Sequence, residues 1–189
     1  MRSDRHKETG KKSVMMEWVK DIVIAVVIAV IIVQFIKPTI VKEVSMQPNF
    51  YENNYLFIYK MAYKLGGEPK KGDVVVFKSN LETQDGTKKL LIKRVIGVPG
   101  DTVSIKDGEV YLNGKKDYQG YTKDGTTSGL VDNLKVPEGK LFCMGDNRLN
   151  SQDSRSPLVG LVDRDDLVGK AVFRLYPFNK MGTIKNPYN

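Results

Sequence analysis

The run of fifteen residues from Ile22 to Ile36 restricts the fold of this chain more than any other feature, because it is almost wholly apolar. It is shorter than the roughly 20 residues that a membrane-spanning helix needs. Val14 to Val19 can extend it toward the N-terminus, and Lys20 and Asp21 inside the extended span can pair or reach the headgroups. We therefore expect an uncleaved transmembrane helix over residues 14–37, with Pro38 marking its end.

Two other interpretations of this run are weaker. A cleaved signal peptide also has a basic start and a short apolar core, but Lys37-Pro38-Thr39 follows here without a small-x-small cleavage site. A buried helix of a soluble protein normally carries a polar stripe, and Ile22 to Val33 has none. Basic residues are denser before the run than just after it, which predicts a cytoplasmic N-terminus and an extracytoplasmic main domain.

The run divides the chain into three expected parts. Residues 1–13 are charged and polar, as in a disordered cytoplasmic tail. Residues 14–37 form the signal-anchor helix, and residues 38–189 leave roughly 150 residues, enough for one domain with its own core. The formal net charge is +8. A basic domain tied to a membrane fits anionic lipid better than nucleic acid, and no nucleic-acid-binding motif is present.

Residues 38–189 predict a mostly β, antiparallel domain, because helical periodicity is weak and short β-rich runs alternate with turn signals. Lys106-Asp107-Gly108 is a hairpin signal between two such runs, and Asn113-Gly114 is a second tight turn. Residues 116–132 predict a long, mobile loop or insertion. The β-rich runs are Leu56–Tyr59, Val74–Phe77, Leu90–Ile96, Thr102–Ile105, Glu109–Leu112, Lys140–Met144 and Val168–Leu175.

Single copies of cysteine and histidine exclude several kinds of site. Cys143 is the only cysteine, so the chain forms no internal disulfide and no cysteine-rich metal site. His6 is the only histidine and lies in the tail. A Ser-His-Asp triad in the main domain is therefore excluded, and a histidine-ligated zinc is disfavoured. A hydrolase built on this chain needs another base.

Lys93 is a candidate for that base. In a strand it shares a face with Leu91 and Val95, and desolvation between aliphatic side chains lowers the pKa of a lysine. A neutral lysine can act as a general base, whereas Arg94 on the other face stays charged. The alternative is that Lys93 extends to water, as strand lysines commonly do. The residues from Met144 to Arg155 are rich in turn-forming and charged groups, which fits a supporting loop or an ordinary polar surface loop.

Three motifs follow the anchor in a fixed order: Ser45-Met46-x-Pro48, then Lys93 to Asp101, then Gly145-Asp146-Asn147-Arg148-x-x-Ser151-x-Asp153-Ser154-Arg155. Together they resemble the bacterial type I signal peptidases, of the compact single-anchor kind found in Gram-positive bacteria. The resemblance extends from the anchor to Phe178. It implies a β-rich signal-peptidase-like catalytic domain that removes N-terminal signal peptides from exported preproteins.

The resemblance also implies roles for individual residues. Ser45 corresponds to the nucleophile and Lys93 to its general base, while Ser151 corresponds to a serine that orients the lysine amine. Four further residues correspond to groups that hold the site together, namely Gly145, Asp146, Asp153 and Arg155. The expected substrates carry small residues at positions −3 and −1, and no metal or organic cofactor is expected. The expected location is the cell membrane, with a single pass and the catalytic domain outside.

The chain departs from the family pattern beside the nucleophile. Glu43 occupies a position where many relatives carry Gly or Ser, and Asn49-Phe50 replaces a common Thr-Leu. A carboxylate bordering the oxyanion hole would repel the developing negative charge. Glu43 therefore raises a second hypothesis, a catalytically weak or inactive paralogue that binds secreted or pilin-like substrates. A soluble Ser-Lys autoprotease of the repressor type is a third, opposed by the anchor and by the lack of a DNA-binding domain.

Overall fold

The computed structural model describes residues 4–64 and 66–188, with side chains from residue 14 onward except Ile31. One long helix, α1 (Asp4–Phe35), precedes a β domain, and the chain separates into two compact units between Ile36 and Lys37. Single-turn helices of the 3-10 type occur at Val44–Met46, Arg164–Asp166 and Phe178–Lys180. The strands are β1 (Ile36–Ile40), β2 (Tyr55–Tyr59), β3 (Val74–Glu82), β4 (Lys88–Gly97), β5 (Thr102–Lys106), β6 (Glu109–Leu112), β7 (Lys115–Lys116), β8 (Val131–Lys135), β9 (Lys140–Met144), β10 (Val162–Asp163), β11 (Leu167–Tyr176) and β12 (Gly182–Thr183).

Helix α1 contains the apolar run as far as Phe35, and its Val14–Phe35 portion is apolar enough to cross a membrane. At 1.5 Å per residue this portion is about 33 Å long, which is enough to cross the hydrocarbon core of a bilayer. The helix ends at Phe35, two residues before the predicted boundary, because Pro38 favours an extended conformation at Lys37. Residues 4–13 belong to α1 and are helical, whereas disorder was predicted for residues 1–13; residues 1–3 lie outside the described residues, and the cytoplasmic location of the tail stays a prediction. Propagating an existing helix costs far less than nucleating a new one.

The strands form two antiparallel sheets, so the predicted fold class is confirmed. The larger sheet has the order β1-β2-β11-β3-β4-β9-β10, with β12 paired to Phe173 and Arg174 in the C-terminal half of β11. The smaller sheet has the order β7-β6-β5-β8. Asp107 and Gly108 both adopt positive φ in the β5–β6 hairpin, the conformation that the predicted two-residue turn requires.

Alternation along β3 and β4 builds two apolar layers on opposite faces of the larger sheet. Val75 and Phe77 pack with Leu91 and Val95 in one layer, whereas Val74 and Val76 belong to the other layer, next to Ile92. Lys93 pairs in register with Val75 and is 1% exposed, so its side chain lies on the face of Leu91 and Val95, as predicted. A third layer covers the smaller sheet through Val103, Ile105 and Phe142.

The loop before β8 was predicted to be mobile, but much of it is fixed by contacts. Tyr121 and Thr127 are buried in it, and Lys123 donates its backbone N–H to the carbonyl of Asp146 at 3.1 Å. Asp117 is also buried, and its carboxylate binds Lys71 and accepts a hydrogen bond of 2.8 Å from Tyr188 Oη. These contacts could not be predicted from the local composition of the loop, because each of them joins residues that are distant in sequence. The loop therefore reaches the motif that begins at Gly145.

Candidate active site

Ser45 lies in the single helical turn at Val44–Met46, shortly after β1. Its neighbour Met46 is fully buried in the apolar layer that also contains Val41 and Phe50. The backbone N–H of Val41 donates to the carbonyl of Asn54 at 2.9 Å, which fixes the entry to the turn. Buried apolar residues before and after Ser45, namely Val41 and Met46, therefore fix the position of its backbone. The Ser45 side chain is polar and is 4% exposed.

Lys93 extends from β4 to Ser45, and its Nζ and the Ser45 Oγ are joined by a hydrogen bond of 2.6 Å. Burial lowers the pKa of Lys93 below its ordinary value, because desolvation outweighs the opposing influence of Asp153 and Glu43. In the neutral amine the nitrogen has a free lone pair, which can accept the Ser45 proton. The sequence predicted that Lys93 lies on an apolar face of its strand. The hydrogen bond joins Lys93 to the other candidate residue, Ser45.

The loop after β9 supports the backbone around Ser45. Asn147 donates its backbone N–H to the Ser45 carbonyl at 3.0 Å, and its side-chain amide donates to the Val44 carbonyl at 3.2 Å. Gly145 packs so closely that a Cβ atom there would lie 2.5 Å from the Ser45 carbonyl oxygen and 2.3 Å from Ser151 Oγ. Such a distance is a steric clash, so only glycine fits this position without movement of the nucleophile.

Asp146 holds the same loop against β4. Its carboxylate accepts Arg94 Nε at 2.8 Å and Arg94 Nη2 at 2.7 Å, and the two side chains are 0% and 3% exposed. Asn49 adds a third hydrogen bond of 2.8 Å from its amide to the Asp146 Oδ2. Because Arg94 is adjacent to Lys93, this buried pair fixes the loop relative to the strand that carries the candidate base.

Asp153 and Arg155 form a second buried pair at the other end of the loop. Arg155 donates Nε and Nη2 to the two carboxylate oxygens, each at 2.8 Å, and the Gly145 N–H donates to Asp153 Oδ2 at 2.9 Å. Burial alone would raise the pKa of Asp153, but the Arg155 and Gly145 contacts hold it below its ordinary value. Asp153 therefore stays ionised as part of the folded loop.

Ser151 adjoins Gly145, and its buried Oγ helps to lower the pKa of Asp153 without forming a hydrogen bond of normal geometry among the described residues. No hydrogen bond joins Ser151 Oγ and Lys93 Nζ among the described residues, so the contact that the resemblance implies is not formed here. A role of Ser151 in orienting Lys93 stays a prediction.

Three residues of the site had no assigned role from sequence. Arg148 is 1% exposed and donates to the Gly145 carbonyl at 3.0 Å, to Thr127 Oγ1 at 2.8 Å and to Tyr121 Oη at 3.0 Å. The Asn49 amide bonds the Tyr121 carbonyl as well as Asp146. Tyr121 lies in the segment predicted to be mobile, and nothing in its local pattern marks it. Asn49 was visible only as a departure from the family motif.

Glu43 has a basic partner on β4. Its carboxylate pairs with Lys89 Nζ at 2.5 Å, and the two side chains are 43% and 39% exposed. Among the residues whose side chains are described, no group of three or more histidine, cysteine or acidic side chains is arranged to hold a metal ion. The two reactive groups that the structure brings together are the Ser45 hydroxyl and the Lys93 amine.

Comparison with known proteins shows the family of this chain. Residues 15–176 match the family model for signal peptidase, peptidase S26. Signal peptidase I of Bacillus licheniformis is 41% identical over 187 residues, covering 93% of this chain and 96% of the relative. Signal peptidase IB of Staphylococcus aureus is 36% identical, with 94% and 98% covered. A crystal structure of a signal peptidase I from Enterococcus faecalis is 32% identical and covers 55% of this chain and 96% of its own, with a TM-score of 0.41. On the family model and the sequence relatives, this chain belongs to the signal peptidase family, peptidase S26, and is a serine endopeptidase.

Proposed function

We propose that this signal-peptide-removing peptidase uses Ser45 as its nucleophile and Lys93 as its general base. The observation that carries the proposal is the 2.6 Å hydrogen bond between Ser45 Oγ and Lys93 Nζ, both in buried side chains. Desolvation favours the neutral amine, which is the form of Lys93 that can accept a proton. The described domain contains no histidine that could replace it, since His6 is the only histidine of the chain.

The reaction proceeds in two halves. Lys93 takes the proton from Ser45 Oγ as the oxygen attacks the scissile carbonyl, and the ammonium form then protonates the leaving amine. The signal peptide stays attached to Ser45 as an ester until water, deprotonated by Lys93, releases it. The backbone N–H of Ser45 is one donor to the oxyanion, and losing a single donor of this kind typically costs about 10²–10³ in rate.

The other predicted residues keep this geometry in place. Gly145 permits the close approach of the loop to the Ser45 carbonyl. Asp146 fixes the loop to the strand of Lys93 through Arg94, and Asp153 fixes it to Arg155. We assign these residues to positioning rather than to bond breaking, and we assign Ser151 to orienting the lysine once substrate is bound.

The apolar helix and the bacterial relatives indicate a membrane-anchored protein. We propose the finer topology predicted from charge, with a cytoplasmic N-terminus and the β domain outside. Preprotein signal peptides emerge from the bilayer, so tethering raises the effective concentration of enzyme near its substrate. Small residues at −3 and −1 of the substrate remain part of the proposal. The inactive, substrate-binding alternative is not favoured, since the relatives are signal peptidases and Glu43 is paired with Lys89.

Cleavage of a preprotein by the full chain in detergent or lipid vesicles tests the dyad. Ser45→Ala and Lys93→Ala are expected to lose nearly all activity, and Lys93→Arg is expected to be equally inactive because an arginine stays charged. Ser104→Ala in β5 and Lys88→Ala in β4 are matched controls outside the pair and should cleave normally. Parent-like cleavage by either dyad variant would overturn the assignment.

A further inference from the structure

We propose that Lys89 is a positioning residue for the cleavage reaction, which neutralises Glu43 at the edge of the active site and thereby keeps Lys93 available as a base. This inference rests on the proposed Ser45–Lys93 dyad. It assigns a role to a residue that belongs to none of the three motifs, and it explains how a carboxylate two residues before the nucleophile is accommodated.

The geometry of the pair links both motifs. Glu43 precedes Ser45 by two residues, and Lys89 precedes Lys93 by four residues on the same strand. Residues 89, 91 and 93 alternate onto one face of β4, so Lys89 lies on the side of the strand that carries the base. The 2.5 Å contact between Glu43 and Lys89 therefore joins the segment of the nucleophile to the strand of the base.

The charged groups that act on Lys93 come from several elements. Asp153 and Asp146 on the supporting loop and Glu43 favour its protonated form, whereas burial and Lys89 favour its neutral form. The thiol of Cys143 on β9 also acts on Lys93, but burial raises the pKa of this thiol and keeps it uncharged. The two loop carboxylates each bind an arginine, Arg155 or Arg94, in a buried pair. The counter-ion of Glu43 is instead a lysine on the strand of Lys93 itself, partly exposed to solvent.

Removing either member of the Glu43–Lys89 pair should shift the pKa of Lys93 in a direction that can be stated in advance. Without Lys89, the Glu43 carboxylate is uncompensated, the pKa of Lys93 rises, and more of the lysine is protonated at a given pH. Without Glu43, the Lys89 ammonium is uncompensated, the pKa of Lys93 falls, and the base survives to lower pH. Removing both charges returns the balance to near its starting value. A purely structural role of the ion pair would impair both single variants in the same direction at every pH.

The test measures kcat/KM against pH for cleavage of a synthetic preprotein by the full chain in detergent micelles. Lys89→Gln should move the acidic limb to higher pH and Glu43→Gln should move it to lower pH, each by roughly half to one pH unit for a unit charge near a partly screened site. The double variant and the charge exchange Glu43→Lys with Lys89→Glu should both lie near the parent. Lys88→Gln is the matched control, because it makes the same charge change on the opposite face of β4. Because the pair is partly exposed, high salt should reduce the single-variant shifts.

The outcomes separate this inference from the proposed dyad. If Ser45→Ala or Lys93→Ala retains activity, the proposed function fails. If those variants are inactive but Lys89→Gln and Glu43→Gln shift the limb in the same direction, or do not shift it, only the role of Lys89 fails. Circular dichroism checks that each variant is folded. Should a single variant unfold, the charge exchange still decides, since loss of activity in that folded variant would contradict charge compensation.

Discussion

The buried pair of Asp146 and Arg94 gives a prediction whose size follows from the structure. Asp146→Ala removes the carboxylate that pairs with Arg94, although the Arg94 side chain is only 3% exposed. The substitution also removes one of the two hydrogen-bond acceptors of the Asn49 amide. Breaking a buried ion pair by removing one partner typically costs about 3–5 kcal/mol. For a chain of this length, that loss corresponds to a fall in melting temperature of about 6–20 °C. Activity should fall as well, because the loop that binds the Ser45 carbonyl is released.

Thermal and urea unfolding of the full chain in detergent measures the effect. The control is Asp163→Ala, which removes the carboxylate of an exposed pair with Lys140 and should cost no more than about 1 kcal/mol. A double variant, Arg94→Met with Asp146→Leu, should recover much of the stability, since it leaves no buried charge unpaired. A loss below 1 kcal/mol in Asp146→Ala, or a double variant as unstable as the single one, would refute the reasoning.

Two further predictions concern the loop and the base. Gly145→Ala should reduce cleavage at least tenfold while the protein stays folded, because its Cβ would meet the Ser45 carbonyl oxygen at 2.5 Å; parent-like kcat/KM would show that the loop yields easily. Lys93→Met should be inactive but more stable than the parent at neutral pH, since it removes a desolvated amine. The pKa of Lys93 is lower in the folded protein than in the unfolded chain. Between these two pKa values the unfolded chain binds a proton that the folded protein does not. The free energy of unfolding of the parent should therefore rise with pH from the folded-state pKa of Lys93 up to about pH 10.4. Urea unfolding at several pH values checks this, and a Lys93→Met variant that shows the same rise would contradict it.

Much of the fold was predictable because it depends on local patterns. The β5–β6 hairpin follows from Asp107-Gly108, and the face of Lys93 follows from alternation along β4. The start of α1 was not predictable, since helix propagation from the apolar segment into residues 4–13 overrides their charged composition.

The candidate site also contains residues that were predictable from sequence and residues that were not. Ser45 and Lys93 were identified from ordered motifs and from the missing triad histidine; their atoms Oγ and Nζ lie 2.6 Å apart, and their catalytic roles stay proposals. Asn49 was missed because its partner Tyr121 is 72 residues away in sequence. Tyr121 was missed because it lies in a loop without regular secondary structure. The direction of the Glu43 side chain depends on Lys89, a contact that no local pattern specifies.

The measurement that tests the central claim most directly is the titration of Lys93 itself. The ¹³Cε resonance of Lys93 in the full chain, assigned by comparison with Lys93→Arg, reports its pKa by NMR. The proposed mechanism predicts a transition well below the ordinary lysine value of about 10.4, at the same pH as the acidic limb of kcat/KM. A Lys93 that titrates near 10.4, or an activity limb unrelated to its transition, would contradict the role of Lys93 as the base for Ser45.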